Sequence, residues 1–232
     1  MKTMMSVHDL TPNDDAEDCL TCGKGRPRAA DKEARVQNLI ATAHGLFMSK
    51  GYGKVSLEMI AREAHVAVRT IYVKFGGKAG LFKAVIEDGR ARLFNMEGMD
   101  ASLPTPELLE KFALSFLELI SAPEMTRACR MVIAEASTNP ELASAFFQAG
   151  PGLTREMLNR YFSRPAVRAL FRDDMSAPQL SEHLILCLVG DQMVRMLFEP
   201  PPPPPQEEQL RRARVALALF YRGTLKSADA AS

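Results

Sequence analysis

Residues 55–82 carry the pattern that most constrains the fold. In VSLEMIAREAHVAVRTIYVKFGGKAGLF, apolar residues recur three and four positions apart, which predicts two short helices, a tight turn between them and the start of a third helix. The predicted buried side holds Ile60, Ala61, Ala64, Val66, Ile71, Tyr72 and Phe75. A compact helix pair that shows cations and hydroxyls on its other side is suited to phosphate-lined DNA. The spacing alone leaves open a basic surface that is merely solvated.

Individual positions in this unit have distinct expected roles. Ser56 precedes the first helix and is a suitable N-cap, and the second helix is expected from about Ala67 to Phe75. Because arginine can pair with guanine through two hydrogen bonds, the start of the second helix is expected to read bases. The expected base-reading residues are Val68, Arg69 and Thr70. The residues expected to hold phosphates are Ser56, Tyr72, Lys74 and Lys78.

A preceding segment completes a three-helix unit. One apolar stripe runs along a predicted helix from about Asp31 to Lys50, and Gly51 is expected to end this helix. The stripe consists of Val36, Leu39, Ile40, Ala43, Leu46 and Phe47. This helix is expected to cover the other two.

Positive charge is concentrated in the same part of the chain. Residues 24–94 hold 14 Lys and Arg against 6 Asp and Glu, whereas residues 1–23 carry a net charge of −4 and residues 95–232 a net charge of −3. The whole chain carries only +1. This segregation favours a local polyanion site over a generally adhesive surface.

The segment GLFMSKGYGKVSLEMIAREAHVAVRTIYVKFGGKAGLFKAVI resembles the DNA-binding domain of the TetR family of bacterial transcriptional regulators. The resemblance covers Arg35–Phe94, and beyond that stretch it is one of architecture only. The matching positions are Phe47, Gly51-Tyr52, Ser56, Ile60-Ala61, Ala64, Val66, Thr70-Ile71-Tyr72, Phe75, Lys78 and Leu81-Phe82. Three positions differ from the family pattern: His65 replaces a glycine, Ala67 replaces a capping Ser or Thr, and Gly80 replaces a common Glu.

The resemblance implies an all-α protein with two domains. A three-helix helix-turn-helix DNA-binding domain, here residues 31–97, would precede a larger helical ligand-binding and dimerisation domain, here residues 98–227. Residues 1–30 and 228–232 are expected to be disordered. In the family, ligand binding changes the spacing of the two DNA-reading helices.

The N-terminal arm carries two short motifs. Arg26 and Arg28 flank Pro27 beside the DNA-binding domain, where such an arm can enter the minor groove; a solvated tail is the alternative. Cys19 and Cys22 form a CxxC pair that could bind metal or form a disulfide. Structural zinc usually needs four ligands, and no second CxxC exists, so an incidental pair is favoured and no metal or cofactor is expected.

Residues 178–198 and 207–226 are the expected dimer helices. The first segment is apolar on almost every side, and such a helix is buried or lies at a subunit interface. The resemblance implies a homodimer through both segments, and a twofold dimer would prefer a palindromic operator. A purely structural core is the alternative. Pro200–Pro205, which separates the two segments, is expected to form a polyproline II spacer.

Flexible and aromatic apolar residues in the C-terminal part predict an apolar ligand pocket. The candidates are Met125, Phe146, Phe147, Met157, Tyr161, Phe162, Met193 and Met196. Residues at this helical spacing are also typical of an ordinary core. Polar residues that could orient a ligand, if they face inward, are Arg127, Arg130, Glu135, His183, Asp191 and Gln192.

Other function classes find little support in the sequence. We find no phosphate-binding glycine loop, no HExxH and no GxSxG, so an enzyme is not expected. The chain lacks an apolar run long enough to cross a membrane and an apolar signal-peptide core, so a cytoplasmic protein is expected. The sequence predicts a homodimeric, sequence-specific repressor released from double-stranded DNA by a small, largely apolar effector. An architectural DNA-binding protein and a redox- or metal-responsive regulator remain the alternatives.

Overall fold

The structure is a computed structural model, and it describes residues 29–93, 105–198, 202 and 204–226. These residues form twelve α-helices and one short π-helical segment, Gln148–Gly152. The helices are α1 Ala29–Lys50, α2 Leu57–Glu63, α3 Val68–Phe75, α4 Lys78–Leu93, α5 Thr105–Ser121, α6 Pro123–Glu135, α7 Pro140–Phe147, α8 Leu153–Phe162, α9 Pro165–Arg168, α10 Ala177–Val189, α11 Gln192–Phe198 and α12 Gln206–Thr224. The all-α prediction is confirmed.

Helices α2 and α3 form the predicted helix-turn-helix. Ser56 caps α2, because its hydroxyl accepts a hydrogen bond from the amide of Met59 at 3.2 Å. His65 adopts a left-handed conformation with φ of 54° in the turn, where the related family usually has glycine. The backbone amide of Val66 then donates to the carbonyl of Ala61 at 2.9 Å, which closes the corner between the helices. Helix α3 begins after Ala67, whose side chain provides no cap.

The core under these two helices is aromatic at its centre. The rings of Phe47, Tyr52 and Phe82 lie 5.4–5.6 Å apart and link α1, the turn after it and α4. All six predicted stripe residues belong to this core: four are buried in it, and Val36 and Leu46 are partly buried and pack against it. Tyr72 is a correction: 56% of its side chain is exposed. It lies on the outer side of α3, one position beyond the buried Ile71.

This core continues into the C-terminal helices. Ala128 and Val132 from α6, with Leu142 and Ala145 from α7, belong to the same buried cluster as α1–α4. Helix α4 therefore packs against α7 as well as against α1. Helices α1–α4, the predicted DNA-reading unit, therefore form one packed body with α6 and α7. Because such a core is close-packed, a displacement of α6 or α7 must also displace α1 and α4.

A second core joins α5, α8, α10 and α12. Its centre is again aromatic, and the rings of Phe162, Phe171 and Phe220 lie 5.3–5.9 Å from one another. Helix α10 packs against α8 and α12, and α12 packs against α5. In the polyproline run, Pro205 has φ of −56° and ψ of 153°, close to polyproline II, and precedes α12. Pro200, at the start of that run, lies outside the described residues.

The segment 178–198 is interrupted, whereas the sequence predicted a single helix that is buried or lies at a subunit interface. Helix α10 ends at Val189, Gly190 adopts a positive φ of 50°, and α11 starts at Gln192. Several apolar side chains of this segment are exposed in a single copy of the chain: Leu186, Met193, Val194 and Phe198. Among the helices that the structure describes, none is both long and apolar enough to cross a membrane.

Candidate nucleic-acid interface and ligand cavity

The outer side of α3 presents most of the predicted DNA contacts. Arg69, Thr70, Tyr72 and Lys74 are all exposed there, and Ser56 is exposed at the start of α2. Val68 differs, since it is half-buried and packs against the first core. Of the three predicted base-reading residues, Arg69 and Thr70 are therefore the exposed ones.

Val73 is a residue of this surface that the sequence analysis missed. It is an exposed apolar side chain on α3, with 78% of its surface accessible. It stands four positions after Arg69, so both lie on one side of the helix. An apolar group at this position is suited to the methyl group of thymine. The signal in the sequence was an apolar residue outside the stripe formed by Ile71 and Phe75.

Helix α1 adds further cations beside α3. Lys32, Arg35 and Asn38 of α1 line a groove that Thr70 and Lys74 of α3 also line. The positive residues of α1 thus extend the charged surface away from the recognition helix. Sequence reasoning placed these residues in the basic segment but assigned them no role.

Lys78, a predicted phosphate contact, packs against an aromatic ring of the protein itself. Its ammonium nitrogen lies 4.1 Å from the centroid of the Tyr52 ring. Partial burial lowers the pKa of Lys78, and the carboxylates of Glu135 and Glu141 oppose this shift. The ammonium group therefore stabilises the turn after α1, and a phosphate contact from it remains a prediction.

A carboxylate joins the DNA-reading unit to α6. The two carboxylate oxygens of Glu135 accept hydrogen bonds from the backbone amides of Tyr52 at 3.0 Å and Gly53 at 2.6 Å. Glu141 of α7 accepts a third from the Tyr52 hydroxyl at 3.4 Å. We call Glu135, Glu141, Tyr52 and Gly53 the carboxylate joint. Two adjacent amides held by one carboxylate fix the α1–α2 turn against the end of α6.

A cavity of about 420 Å³ lies between α4, α5, α6, the π-helical segment, α8, α10 and α11. Its size falls within the range of small-molecule sites. Four of the eight predicted pocket residues line it: Met125, Phe146, Met193 and Met196. Cys129 lines it too, and burial raises the pKa of this thiol to about 11, so it contributes there as a small neutral group.

The other four predicted pocket residues lie away from this cavity. Tyr161 and Phe162 are buried in the second core, against which Met157 also packs. Phe147 is half exposed, and the Arg155 guanidinium lies 5.7 Å from its ring centroid. Helical spacing identified these residues as inward-facing without distinguishing a packed core from a cavity wall.

The polar residues around the cavity are mostly ones that the sequence did not single out. Arg90, Thr154 and Arg155 line it, together with the expected Gln192. Gln192 donates to the Ser121 hydroxyl at 2.7 Å. The remaining polar candidates lie elsewhere: Glu135 forms the carboxylate joint, and Arg127, Arg130, His183 and Asp191 do not line the cavity.

Two of the predicted motifs cannot be placed. Arg26 and Arg28 of the proposed minor-groove arm lie outside the described residues, and so does the pair Cys19 and Cys22. Their predicted roles stay predictions.

A helix-turn-helix with an exposed basic recognition helix, packed onto a helical domain with an apolar cavity, defines a DNA-binding regulator. Comparison with known protein families narrows this class of regulator to one family. The family of bacterial regulatory proteins named tetR matches residues 39–85, and the C-terminal domain of AefR-like transcriptional repressors matches residues 107–223. The chain belongs to the TetR family of bacterial transcriptional regulators.

Individual relatives agree with this assignment. The HTH-type transcriptional repressor ComR of Escherichia coli K12 is 32% identical over 73 residues, so the chain spans about a third (33%) of the length of this curated relative. A TetR transcriptional regulator from Agrobacterium tumefaciens has a TM-score of 0.65 at 22% identity, covering 83% of this chain and 95% of that one. The flavonoid-responsive regulator FrrA has a TM-score of 0.64 at 20% identity, covering 84% of this chain and all (100%) of that one. These two structures establish similarity of fold.

Proposed function

We propose that the protein is a homodimeric, sequence-specific transcriptional repressor that a small, largely apolar ligand releases from its operator. The observation that carries the proposal is the exposed start of α3, where Arg69 and Thr70 lie on the second helix of a helix-turn-helix whose first helix is capped by Ser56. Because its target would be genomic DNA, the protein would act in the cytoplasm.

The exposed residues divide into two groups by the contact that they would make. Arg69 and Thr70 would read base edges in the major groove, with Val73 against a thymine methyl group. Tyr72 and Lys74 would hold phosphates, and Ser56 would do so from the start of α2. Phosphate contacts fix the register of the protein on the duplex and carry no direct sequence information.

Dimerisation would occur through α10, α11 and α12. These helices carry exposed apolar side chains that one copy of the chain leaves uncovered: Leu186, Val194, Phe198, Val215 and Leu219. Clustered exposed apolar residues are typical of subunit interfaces. A twofold dimer would set its two α3 helices about 34–36 Å apart and would recognise a palindromic operator.

An effector would occupy the apolar cavity beside α4 and α6. Both helices contribute to the core of the DNA-reading unit. Occupation of the cavity would therefore shift the two α3 helices of a dimer relative to each other. The fold likeness to a flavonoid-responsive regulator is consistent with such an effector.

A salt titration of DNA binding tests the proposal. The purified protein is titrated with the DNA that flanks its own gene and with random duplex of equal length. We expect selective binding whose affinity falls steeply as salt rises, because phosphate contacts release counterions. Equal affinity for both duplexes would call for a selection of binding sites from random sequences. If that selection enriched no sequence, the protein would be an architectural DNA-binding protein instead.

Substitution of Arg69 separates base reading from phosphate binding. Arg69→Ala is expected to cost about 1–3 kcal/mol on the operator and to relax preference at one base position. Lys74→Ala is the control, since it should weaken binding to all duplexes alike and lower the salt slope by about one. If Arg69→Ala weakened operator and random DNA equally, Arg69 would not be a base-reading residue.

A further inference from the structure

We propose that the effector is an amphipathic anion: an apolar body ending in one acidic group, which Arg90 and Arg155 bind at the polar end of the cavity. This inference rests on the proposed function, because it names the class of ligand for the same cavity. The shared chemistry is a carboxylate or an equivalent acidic group on a hydrocarbon or aromatic body.

The apolar body follows from the walls of the cavity. Most of its lining is hydrocarbon, aromatic ring or thioether, contributed for example by Phe116, Ile120, Met125, Ile185 and Met196. Such walls favour a ligand that buries apolar surface, at roughly 25 cal/mol for each square ångström. Flexible methionines allow them to adapt to the shape of that ligand.

The acidic group follows from Arg90. This residue is half-buried on the cavity side of α4, and one of its guanidinium nitrogens donates to the Thr154 hydroxyl at 3.4 Å. Thr154 is itself only 3% exposed, and its hydroxyl donates onward to the carbonyl of Gly150 at 3.3 Å. A threonine that is fixed in this way orients the guanidinium, whose five donors match a carboxylate. Burial lowers the pKa of Arg90, yet an arginine keeps its charge.

Arg155, which directly follows Thr154 in the chain, supplies a second cation. It lines the same cavity as Arg90 and is exposed, with its guanidinium 5.7 Å from the Phe147 ring centroid. The two arginines thus differ in depth: Arg90 would bind the acidic group inside the cavity, and Arg155 would attract it from the solvent side.

The backbone beside these residues is irregular. The π-helical segment that connects α7 to α8 includes Gly150 and Pro151, and both line the cavity. At Gly152 a side chain would come within 2.9 Å of the Phe147 carbonyl oxygen, so this turn is tightly packed. Wide helical turns of this kind frequently mark functional sites. Here the turn places Thr154 and Arg155 at the cavity.

The charge around the cavity selects the sign of the ligand. Among the described residues that line it, two are arginines and none is acidic. Glu87 of α4 acts on Arg90 electrostatically and raises its pKa against the effect of burial, but its carboxylate lies 3.8 Å from the ammonium of Lys83 and it does not line the cavity. A cationic ligand would meet like charges at both arginines, whereas an acidic group would accept charge-assisted hydrogen bonds from their guanidinium donors.

Decanoate, decanol and decylamine form a matched series of probes with the same alkyl chain and different head groups. Their binding to the full-length protein is measured by calorimetry in the absence of DNA. We expect decanoate to bind at least about ten-fold more tightly than decanol, since hydrogen bonds to charged groups are stronger than neutral ones. Decylamine is expected to bind more weakly than decanol.

Two variants assign this preference to the arginines. Arg90→Gln and Arg155→Gln retain side-chain donors but remove the charge. In these variants the preference for decanoate over decanol is expected to fall about ten-fold, and in the double variant it is expected to disappear. Arg160→Gln is the matched control on α8, because Arg160 pairs with Glu156 at the surface and does not line the cavity. Decanol binding by every variant shows that the cavity is intact.

Three results would overturn the proposal: no decanoate binding, equal affinities for decanoate and decanol, or an unchanged preference in the double variant. Each is distinct from failure of the proposed function. Loss of operator selectivity in the salt titration would remove the repressor role while leaving the calorimetric preference measurable. Conversely, decanol binding that releases the operator as effectively as decanoate would support a repressor with a neutral effector.

Discussion

At the scale of single residues, Gly80 explains how closely α3 and α4 can approach. A side chain at this position would place its Cβ 1.8 Å from the carbonyl oxygen of Phe75, the last residue of α3. The obstacle is backbone, so neighbouring side chains cannot relieve the clash. The glycine at this position, which departs from the family pattern, therefore allows α4 to begin directly beneath the recognition helix.

Gly80→Ala is expected to destabilise the protein by about 1–3 kcal/mol, because over-packing forces the backbone to move. The displaced segment would be α3, so operator affinity should fall as well. Chemical denaturation monitored by circular dichroism gives the free energy of unfolding, and the same preparation gives the affinity.

Gly89→Ala provides the control on the same helix. No atom lies within 4 Å of a Cβ built at Gly89, and alanine favours helix more than glycine does by about 1 kcal/mol. This variant should be as stable as the wild type or more stable. If Gly80→Ala behaved in the same way, the close approach of α3 and α4 would not be a packing constraint.

Local signals predicted the DNA-reading unit well. Ser56 caps α2, Gly51 has a positive φ after α1, and His65 occupies the left-handed position of the turn. These features depend on a few neighbouring residues and on backbone geometry, so the sequence contains them directly. The sequence placed Tyr72 both on the buried side and among the phosphate contacts, because an aromatic residue next to the apolar stripe can face either way, and the structure exposes it.

At the scale of helices, the break at Gly190 separates what the sequence could predict from what it could not. The apolar run 178–198 is long enough for one helix, and an isolated glycine inside such a run is compatible with helix. In the structure, Gly190 and Asp191 instead redirect the chain, and Met193 and Met196 of α11 then line the cavity. That outcome depends on packing against α6, a long-range contact with no local signal.

The apolar strip on α12 leads to a prediction about assembly. Leu219 is 58% exposed and does not line the cavity, so its replacement should affect the dimer without affecting the ligand site. Leu219→Glu would place one charge from each copy in a twofold interface, and we expect the dissociation constant of the dimer to rise by at least about 100-fold. Analytical ultracentrifugation measures this change.

Ile133→Glu is the matched control for the dimer prediction. Ile133 is exposed to a similar extent, 57%, but lies on α6 rather than on the proposed dimer helices. It should leave the dissociation constant close to that of the wild type. A dimer that tolerated glutamate at position 219 would place the interface elsewhere.

At the scale of the whole molecule, the carboxylate joint connects the cavity to the DNA-reading unit. Met125 and Cys129 at one part of α6 line the cavity, and Glu135 at the end of the same helix holds Tyr52 and Gly53. A rigid helix with a ligand site at one part and a fixed contact at its end can transmit displacement between the two. Glu141 of α7 supports the same turn, so two carboxylates secure the joint.

Glu135→Gln tests whether the joint carries the response. A glutamine amide has a single acceptor oxygen, so one of the two backbone amides should lose its partner and exchange its hydrogen faster. Hydrogen exchange at Tyr52 and Gly53 measures this loss without any ligand. The ratio of operator affinities without and with saturating decanoate gives the coupling free energy between the two sites. In Glu135→Gln this coupling free energy should be smaller by about 0.5–2 kcal/mol. Decanoate affinity in the absence of DNA should change by no more than about two-fold.

Glu124→Gln is the control at the other end of α6, where Glu124 pairs with Arg127 at the surface. It removes the same charge from the same helix without touching the α1–α2 turn, so the coupling should stay as in the wild type. If Glu135→Gln accelerated exchange at Tyr52 and Gly53 yet left the coupling unchanged, the joint would stabilise the turn without transmitting the response. The shared core of α1, α4 and α6 would then be the route by which the cavity acts on α3.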